Sequence, residues 1–389
     1  MTIEVRAGFM PLLDCAPLIV AHELEFAAAE GITLSVHRET SWAALRDRLA
    51  VSHLDVAHIL APMPIAANLG LGPLQMSLVV PMALGFGGNT VTVSQSVWRE
   101  LEAAGAPVDF DAGAAVQALA RVVATRRAAG ASRLVLGIVH AYSAHHYQLA
   151  YWMASAGIIP GRDVELVVVP PSLMPSALAG RQIDGFCAGE PWGSVAVLQG
   201  AGRILTTNAN IWRSCPEKVL GVRTAWAREN CEWLQRLVRA VYRAAVWCDA
   251  GENRAALGEI LARPGYIGQP IDMLRPGLSG SLITPDGSAR RVDGFLTFAR
   301  NDATFPWTSQ ALWLYTQMVR WGQAAYARDA VELVRATYEP DVLRAALVSI
   351  AGVVPARNDR FEDGFFDARC FDANDVEGYL ASFAADRVS

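Results

Sequence analysis

The chain contains 389 residues, of which 52% are hydrophobic and 18% are charged, with a formal net charge of -5 at pH 7. This length exceeds the usual size of one compact core, so the sequence predicts two lobes or domains with a large buried interior. Because nucleic-acid binding requires a concentrated basic surface, the acidic balance argues against direct contact with DNA or RNA.

Short apolar strands alternate with helices over the first ninety residues. The N-terminus begins with a strand-like pattern and lacks the basic and apolar regions of a secretory signal, so we expect a cytoplasmic protein. Strands are predicted at 4–9, 32–39 and 54–60, with helices at 16–31 and 41–50. This order is typical of an α/β lobe with a parallel sheet, which binds ligands at the carboxyl ends of its strands. Trp42, which opens the helix capped by Ser41, is expected at that edge.

The middle section repeats the alternation and predicts a second α/β lobe inserted into the first. Helices are expected within 95–132 and at 144–157, and strands at 133–140 and 163–171. The predicted division assigns residues 1–88 and 205–389 to lobe I and residues 89–204 to lobe II.

The last third of the chain changes to long helices that carry tryptophan and arginine. Residues 264–304, rich in Pro, Gly, Ser and Asp, are expected to form a long excursion before a helix at 307–322. The acidic and aromatic stretch 358–376 is predicted to be a mobile tail or a contact with a partner.

The sequence contains no pattern typical of metal binding or of membrane insertion. No apolar run approaches the roughly 20 residues that span a bilayer. The cysteines lie far apart, without the short Cys/His spacings of a zinc site, so we expect reduced thiols and no metal. They are Cys15, Cys187, Cys215, Cys231, Cys248 and Cys370.

A single lysine, Lys218, stands among the 33 basic residues. The lysine ammonium is a compact point charge that fits a small closed site, whereas guanidinium is a broad fork. The use of lysine in the run CPEKVLGV therefore indicates a site that requires the smaller cation. Codon bias that leaves one lysine by chance is the alternative explanation.

Four predicted turns or helix starts supply further polar and aromatic groups: Ser41 with Trp42, Gly87 to Asn89, His145, and Glu217 with Lys218. If these segments converge, ammonium, imidazole, amide and indole would together hold a small planar anion. Taken singly, Trp42 also fits a core position, Asn89 a turn and His145 a helix start.

Six runs of the chain resemble the nitrate- and bicarbonate-binding receptors of ABC importers, the NrtA and CmpA group. They are SWAALRDRLA, DVAHILAPMP, YWMASAGIIPGRDVELVVVPP, DGFCAGEPW, PEKVLGVRTAW and FPWTSQALWLYTQMVRWG. The resemblance covers most of the chain. It implies an α/β, two-lobed periplasmic-binding-protein-like fold of type II, with the ligand in the cleft between the lobes.

The resemblance also implies which residues bind the ligand. The tryptophan, histidine and lysine of the nitrate receptors fall on Trp42, His145 and Lys218, while their glutamine falls on the shorter Asn89. The DGFCAGEPW run adds Ala188 and Glu190 to the predicted ligand-binding set. In the bicarbonate receptors the lysine position is acidic. Because nitrate and nitrite only accept hydrogen bonds, Lys218 favours these anions over bicarbonate.

The sequence shows no leader, and in this feature it resembles the cytoplasmic nitrate/nitrite sensors of the NasS type. Those sensors control a NasT-like RNA-binding antiterminator of the ANTAR class. The resemblance thus implies a sensor with nitrate or nitrite as ligand, this antiterminator as partner, and neither cofactor nor catalysis. Three alternatives stay open. In the first, the chain is the receptor of a nitrate ABC importer without its leader. In the second it is an enzyme like the thiamine pyrimidine synthases, and in the third it is the receptor-like domain of an importer ATPase. The last is disfavoured because no GxxxxGK[ST] loop is present.

Overall fold

The computed structural model describes residues 2–350 and 354–384, whose strands form two five-stranded sheets and two two-stranded ones. The strands are β1 (Ile3–Phe9), β2 (Ile32–Arg38), β3 (Val56–Leu60), β4 (Leu78–Ala83), β5 (Phe86–Gly87), β6 (Asn89–Ser94), β7 (Leu134–Ile138), β8 (Val164–Val168), β9 (Gly185–Gly189), β10 (Gly202–Thr207), β11 (Lys218–Arg223), β12 (Ser281–Ile283), β13 (Ala289–Arg291) and β14 (Leu296–Thr297).

Helices cover the sheets and fill the C-terminal third of the chain. They are α1 (Ala16–Glu23), α2 (Phe26–Ala29), α3 (Trp42–Ala50), α4 (Pro62–Asn68), α5 (Gln95–Ala103), α6 (Ala112–Ala128), α7 (Ala144–Ala154), α8 (Met174–Ala179), α9 (Trp192–Leu198), α10 (Asn208–Ile211), α11 (Thr224–Glu229), α12 (Cys231–Asp249), α13 (Arg254–Ala262), α14 (Ile271–Ser279), α15 (Thr308–Arg320), α16 (Arg328–Thr337), α17 (Pro340–Leu347) and α18 (Val376–Ala384). Within the described ranges, none of these helices has both the length and the apolar character needed to cross a membrane.

The first sheet has the strand order β2-β1-β3-β11-β4. β1 runs parallel to β2 and β3, whereas β11 is antiparallel to β3 and β4. The parallel arrangement predicted for the strands of the first ninety residues is therefore confirmed for β1, β2 and β3, and β11, from later in the chain, runs in the opposite direction. The reason is topological, because the chain leaves this sheet after β4, builds the second sheet, and returns with β11 in the opposite direction.

The second sheet has the order β10-β6-β9-β7-β8 and is formed by one continuous part of the chain. β7 runs parallel to β8 and β9, while β6 is antiparallel to β9 and β10. The predicted lobe boundaries at 88/89 and 204/205 stay a prediction. β10 continues through position 204 as far as Thr207.

Serine caps position two helices whose first turns carry predicted site residues. Ser41 Oγ accepts a hydrogen bond from the Ala44 N–H at 3.1 Å, and Ser143 Oγ accepts one from the His146 N–H at 3.3 Å. Such caps satisfy backbone donors that the first turn of a helix leaves free. By contrast, the predicted helix at 16–31 is two helices, α1 and α2, because Glu25 adopts a left-handed backbone conformation with φ of 58°.

The predicted excursion at 264–304 contains regular structure of its own. α14, the β12–β13 hairpin and β14 lie within it. A Cβ at Gly277 of α14 would lie 2.5 Å from Leu13 Cδ1 and 3.0 Å from Glu190 Cβ. Glycine therefore allows α14 to approach the junction of the two sheets, a role that composition alone does not reveal.

The stretch 358–376 packs against the rest of the protein, so the prediction of a mobile tail was wrong. Glu362 and Phe371 are buried, and the Phe365 ring stacks on Trp212 with centroids 4.4 Å apart and planes at 17°. Trp212 Nε1 also donates a hydrogen bond to the Asp363 carbonyl at 3.0 Å. The aromatic residues of this segment supply enough apolar surface to hold it in place.

Candidate functional site

Lys218, the first residue of β11, is 1% exposed and paired with two carboxylates. Its Nζ lies 2.8 Å from Asp14 Oδ2 and 3.2 Å from Glu217 Oε1. Nζ also lies 5.5 Å from the centroid of the Trp42 ring, within range of a cation–π contact. Because a buried ammonium without partners is very costly, these contacts allow the charge to exist in the interior.

Asp14 lies in a short 3₁₀ helix, Leu13–Cys15, directly after β1. Its second carboxylate oxygen is 2.8 Å from His58 Nε2, and His58 Nδ1 faces the Met10 N–H at 3.5 Å. Since Nδ1 accepts from a backbone donor, Nε2 carries the proton that is donated to Asp14. The imidazole of His58 thus orients Asp14 toward Lys218.

Glu217 connects residues from both five-stranded sheets. Its two oxygens lie 2.8 and 3.2 Å from Nδ1 of His145, in the first turn of α7. The Asn89 side-chain amide, at the start of β6, also donates a hydrogen bond to Glu217. Together with the ion pair to Lys218, these contacts place Glu217 at the centre of a cluster between the two sheets. We call Asp14, Trp42, His58, Asn89, His145, Glu217 and Lys218 the Lys218 cluster.

The charges in the Lys218 cluster stabilise one another. Burial raises the pKa of Asp14 and of Glu217, but the attraction of Lys218 and the neighbouring histidine outweighs burial, so both pKa values lie below their usual range. Burial lowers the pKa of Lys218, yet Asp14 and Glu217 outweigh it, and the pKa is raised. For His58 burial dominates and lowers the pKa. Lys218 is therefore a cation that faces the ionised carboxylates of Asp14 and Glu217, while His58 is neutral.

Three side chains of the cluster keep a buried polar atom without a hydrogen bond among the residues that the structure describes. These atoms are Trp42 Nε1, Asn89 Oδ1 and His145 Nε2. An unsatisfied buried polar atom costs about 1–3 kcal/mol. A ligand that pairs with such atoms recovers this free energy, so the arrangement is suited to binding a small polar molecule.

Two predicted residues, Ala188 and Glu190, lie close by but make different contacts. The Glu190 carboxylate accepts hydrogen bonds from the Ser194 N–H at 3.1 and 3.2 Å and from Thr90 Oγ1 at 3.3 Å. Burial raises the pKa of Glu190 to about 7. Ala188 supplies no polar side-chain atom and pairs with Thr90 in the sheet.

The residue after Ala188 faces the cluster. A Cβ at Gly189 would lie 3.2 Å from Asn89 Oδ1 and 3.7 Å from Asp14 Oδ2. Since side chains alternate along a strand, Ala188 projects from the opposite face of β9. The structure thus brings together Trp42, Asn89, His145 and Lys218, while ligand binding by any predicted residue stays a prediction.

Sequence reasoning missed Asp14 and His58 and assigned no role to Glu217. A signal was present for two of them, because Asp14 interrupts the apolar run PLLDCAPLIVA and His58 lies inside the strand VAHIL. Buried polar residues in apolar segments usually have a specific partner. In residues 2–350 and 354–384, no group of three or more His, Cys, Asp and Glu side chains is arranged to hold a metal ion.

The model of the NMT1-like family matches residues 2–262. The nitrate import ATP-binding protein NrtC of Synechocystis sp. is 34% identical over 99% of this chain, which spans only 56% of that protein. The nitrate/nitrite binding protein NrtA of Synechococcus elongatus is 30% identical over 97% of this chain and 85% of its own length. The crystal structure of the periplasmic nitrate-binding protein NrtA from Synechocystis PCC 6803 superimposes with a TM-score of 0.89, at 27% identity and 98% coverage of both chains. The chain therefore has the periplasmic-binding-protein-like fold and belongs to the NMT1-like family, together with the NrtA-type nitrate/nitrite binding proteins.

Proposed function

We propose that this chain binds nitrate or nitrite beside Lys218, between the two five-stranded sheets. The observation that carries the proposal is the buried Lys218 ammonium surrounded by side chains with unpaired polar atoms. An ammonium has three N–H donors, of which Asp14 and Glu217 take two, so one donor is left for an anion. Trp42 Nε1 is a second unpaired donor. The names of the NrtA relatives support the same ligand.

Bicarbonate is the second candidate, and Asn89 is the observation that favours it. The Asn89 amide donates to Glu217, which leaves Oδ1 as an unpaired acceptor. Nitrate and nitrite carry no hydrogen, whereas the bicarbonate hydroxyl can donate to this oxygen. Against bicarbonate stands the cation at position 218, which in the bicarbonate receptors is replaced by an acidic residue.

Calorimetric titration with nitrate, nitrite, bicarbonate and sulfate tests the proposal. We expect heat from nitrate or nitrite, and a loss of affinity of at least about thirtyfold in Lys218→Met, because losing a buried charged partner costs about 2 kcal/mol or more. Arg275→Ala, which changes an exposed ion pair with Asp272, is the control and should bind normally. Binding of bicarbonate alone would favour the second candidate, and no heat from any anion would refute both.

The finer proposal is a cytoplasmic sensor that controls a NasT-like antiterminator. The net charge of -5 supports it, because an acidic chain leaves RNA binding to the partner. Nitrate would shift the sensor between two conformations only if it binds one of them more tightly. A pull-down of the antiterminator that succeeds without nitrate and fails with it would support this role. Unchanged capture, or none in either condition, would favour the receptor of an ABC importer.

We propose no catalytic activity. The NrtA relatives are named as binding proteins. A pyridoxal-phosphate enzyme needs a lysine that loses its proton to form a Schiff base, whereas Asp14 and Glu217 raise the pKa of Lys218 and keep it charged. An absorbance band from bound cofactor in the purified protein would contradict this view.

A further inference from the structure

The polar side chains of the proposed nitrate site are closed off from solvent. Trp42, Asn89, His145 and Lys218 are each at most 1% exposed. Lys218 begins a strand of the first sheet, whereas Asn89 begins a strand of the second. A dissolved anion therefore reaches these side chains only when the two sheets move apart. The parts of the chain that connect the sheets must bend during this movement.

Two connections between the sheets lie side by side. The chain leaves the first sheet through residues 84–88 and returns through residues 208–217, which we call the first and second crossings. The Gly87 N–H of the first crossing donates a hydrogen bond to the Cys215 carbonyl of the second at 3.1 Å. Because β6 follows the first crossing and β11 follows the second, bending here changes the distance between the two sides of the proposed site.

Arg360 contacts both crossings at once. Its guanidinium carbon lies 5.2 Å from the centroid of the Phe86 ring in the first crossing, and its Nη2 donates a long hydrogen bond of 3.5 Å to the Ser214 carbonyl in the second. Its Nε lies 3.0 Å from the carboxylate of the buried Glu362, which holds the guanidinium in this position. A planar guanidinium stacks on a ring with its face and donates from its edge, so one side chain can restrain two segments.

The backbone next to Arg360 pairs with the second crossing. The Arg213 N–H donates a hydrogen bond to the Gly364 carbonyl at 3.0 Å, and the Phe366 N–H donates one to the Ile211 carbonyl at 2.9 Å. These two hydrogen bonds flank the stacked tryptophan and phenylalanine rings described above. Bending of the second crossing therefore disturbs both the backbone pairing and the ring stacking.

The same segment is anchored to helices on both sides of the crossings. Ser309, in α15, donates a hydrogen bond to Glu362 Oε1 at 2.7 Å, and α15 packs against α4, which follows β3 of the first sheet. The Tyr151 hydroxyl, in α7, lies 2.9 and 2.8 Å from the two carboxylate oxygens of Asp367, and α7 packs against β9 of the second sheet. The segment thus joins the surroundings of both sheets across the crossings.

We propose that residues 358–371, with Arg360 as the positioning residue, restrain both crossings and thereby set the rate at which an anion enters and leaves the site. The inference rests on the proposed binding of nitrate or nitrite beside Lys218. It adds the step that limits ligand exchange, and it gives the C-terminal segment a role beyond packing.

Restraint of the crossings predicts a specific kinetic effect. The closed form holds the anion and the open form exchanges it, so a looser restraint makes opening more frequent with and without the anion. As long as the closed form stays the major one, the association and dissociation rates rise by the same factor and Kd does not change. Loss of a direct contact with the anion would instead raise the dissociation rate and Kd together.

Arg360→Met tests the proposal, since methionine keeps apolar contact with the Phe86 ring but has no N–H donor. Stopped-flow mixing with nitrate measures both rates through tryptophan fluorescence, because Trp42 borders the proposed site. We expect both rates to be about tenfold faster, with Kd within about twofold of the wild-type value. Arg357→Met, at a nearby exposed arginine, is the matched control and should behave as the wild type does.

Hydrogen–deuterium exchange without nitrate tests the restraint independently of binding. In Arg360→Met the amides of residues 84–88 and 208–217 should exchange faster, whereas those of β1 should not, which separates local loosening from global destabilisation. Tyr151→Phe keeps the ring and loses the hydrogen bond to Asp367. It should show the same changes to a smaller extent, and it replaces Arg360→Met if that variant does not fold.

Unchanged rates and unchanged amide exchange in these variants would overturn the inference and leave the proposed function intact. A rise in Kd that matches the rise in the dissociation rate would also overturn it, because Arg360 would then help to hold the anion itself. No nitrate or nitrite binding by the wild type would overturn the proposed function and, with it, the role in ligand exchange. Hydrogen exchange would still show in that case whether Arg360 restrains the crossings.

Discussion

Lys218 Nζ and Asp14 Oδ2 lie 2.8 Å apart, although 204 residues of sequence separate them. Asp14 follows β1 and Lys218 begins β11, so the contact forms only when β11 inserts between β3 and β4. The pair therefore couples the Lys218 cluster to the completion of the first sheet. Lys218 also pairs with Glu217, which contacts His145, and these contacts join the first sheet to the second lobe's part of the chain.

Asp14→Asn should destabilise the protein, because it removes one charge from a buried pair and leaves the other less compensated. Breaking such a pair costs about 3–5 kcal/mol in the free energy of unfolding. Urea denaturation at pH 7 measures the change. Asp272→Asn, which alters the exposed pair with Arg275, is the matched control and should change little. Equal changes in the free energy of unfolding for the two variants would contradict a stabilising role of the buried pair.

Glu190→Gln should flatten the pH dependence of stability between about pH 4.5 and pH 7. Burial raises the folded-state pKa of Glu190 from 4.5 to about 7, so the folded protein keeps a proton that the unfolded chain loses. Stability from this group is fully present below the unfolded pKa and falls as the pH rises toward 7, by about 3 kcal/mol in total. Denaturant titrations at several pH values measure the slope. If stability changed with pH at the same slope in wild type and variant, Glu190 would not be the group responsible for this pH dependence.

Gly189→Ala should weaken anion binding with little effect on folding. The added methyl group would lie 3.2 Å from both Asn89 Oδ1 and Leu12 Cδ2, so it would crowd the side chains that face the proposed ligand. We expect Kd for nitrate to rise about tenfold, which corresponds to about 1.4 kcal/mol. Calorimetry gives Kd. Gly251→Ala, where nothing lies within 4 Å of the new Cβ, is the control and should bind as the wild type does.

Phe365→Ala should destabilise the protein by about 3 kcal/mol or more, because it removes a buried ring that stacks on Trp212. Phe361→Ala is the matched control, since Phe361 is 60% exposed and belongs to the same segment. Chemical denaturation compares the two. If Phe365→Ala behaved like the control, the segment would not contribute to the core.

Local sequence patterns determined much of the fold and part of the site. The strand at 3–9, the helix capped by Ser41 and the helix that carries His145 follow from residue periodicity and capping, which act over a few residues. Residue type also pointed to Trp42, Asn89, His145 and Lys218, because each stands at a turn or at the end of an element. Each of these features can be predicted without knowing which distant residues contact it in the folded protein.

Tertiary structure alone decided what surrounds those residues. Folding sets the direction of β11. It also pairs Lys218 with Asp14 and Glu217 with His145, which are 204 and 72 positions apart in the sequence. Ionisation then depends on these neighbours, since burial penalises a charge and only a nearby partner offsets the penalty. Residue identity sets which groups are available, whereas their charge, tautomer and free hydrogen-bonding atoms are set by the contacts that folding creates.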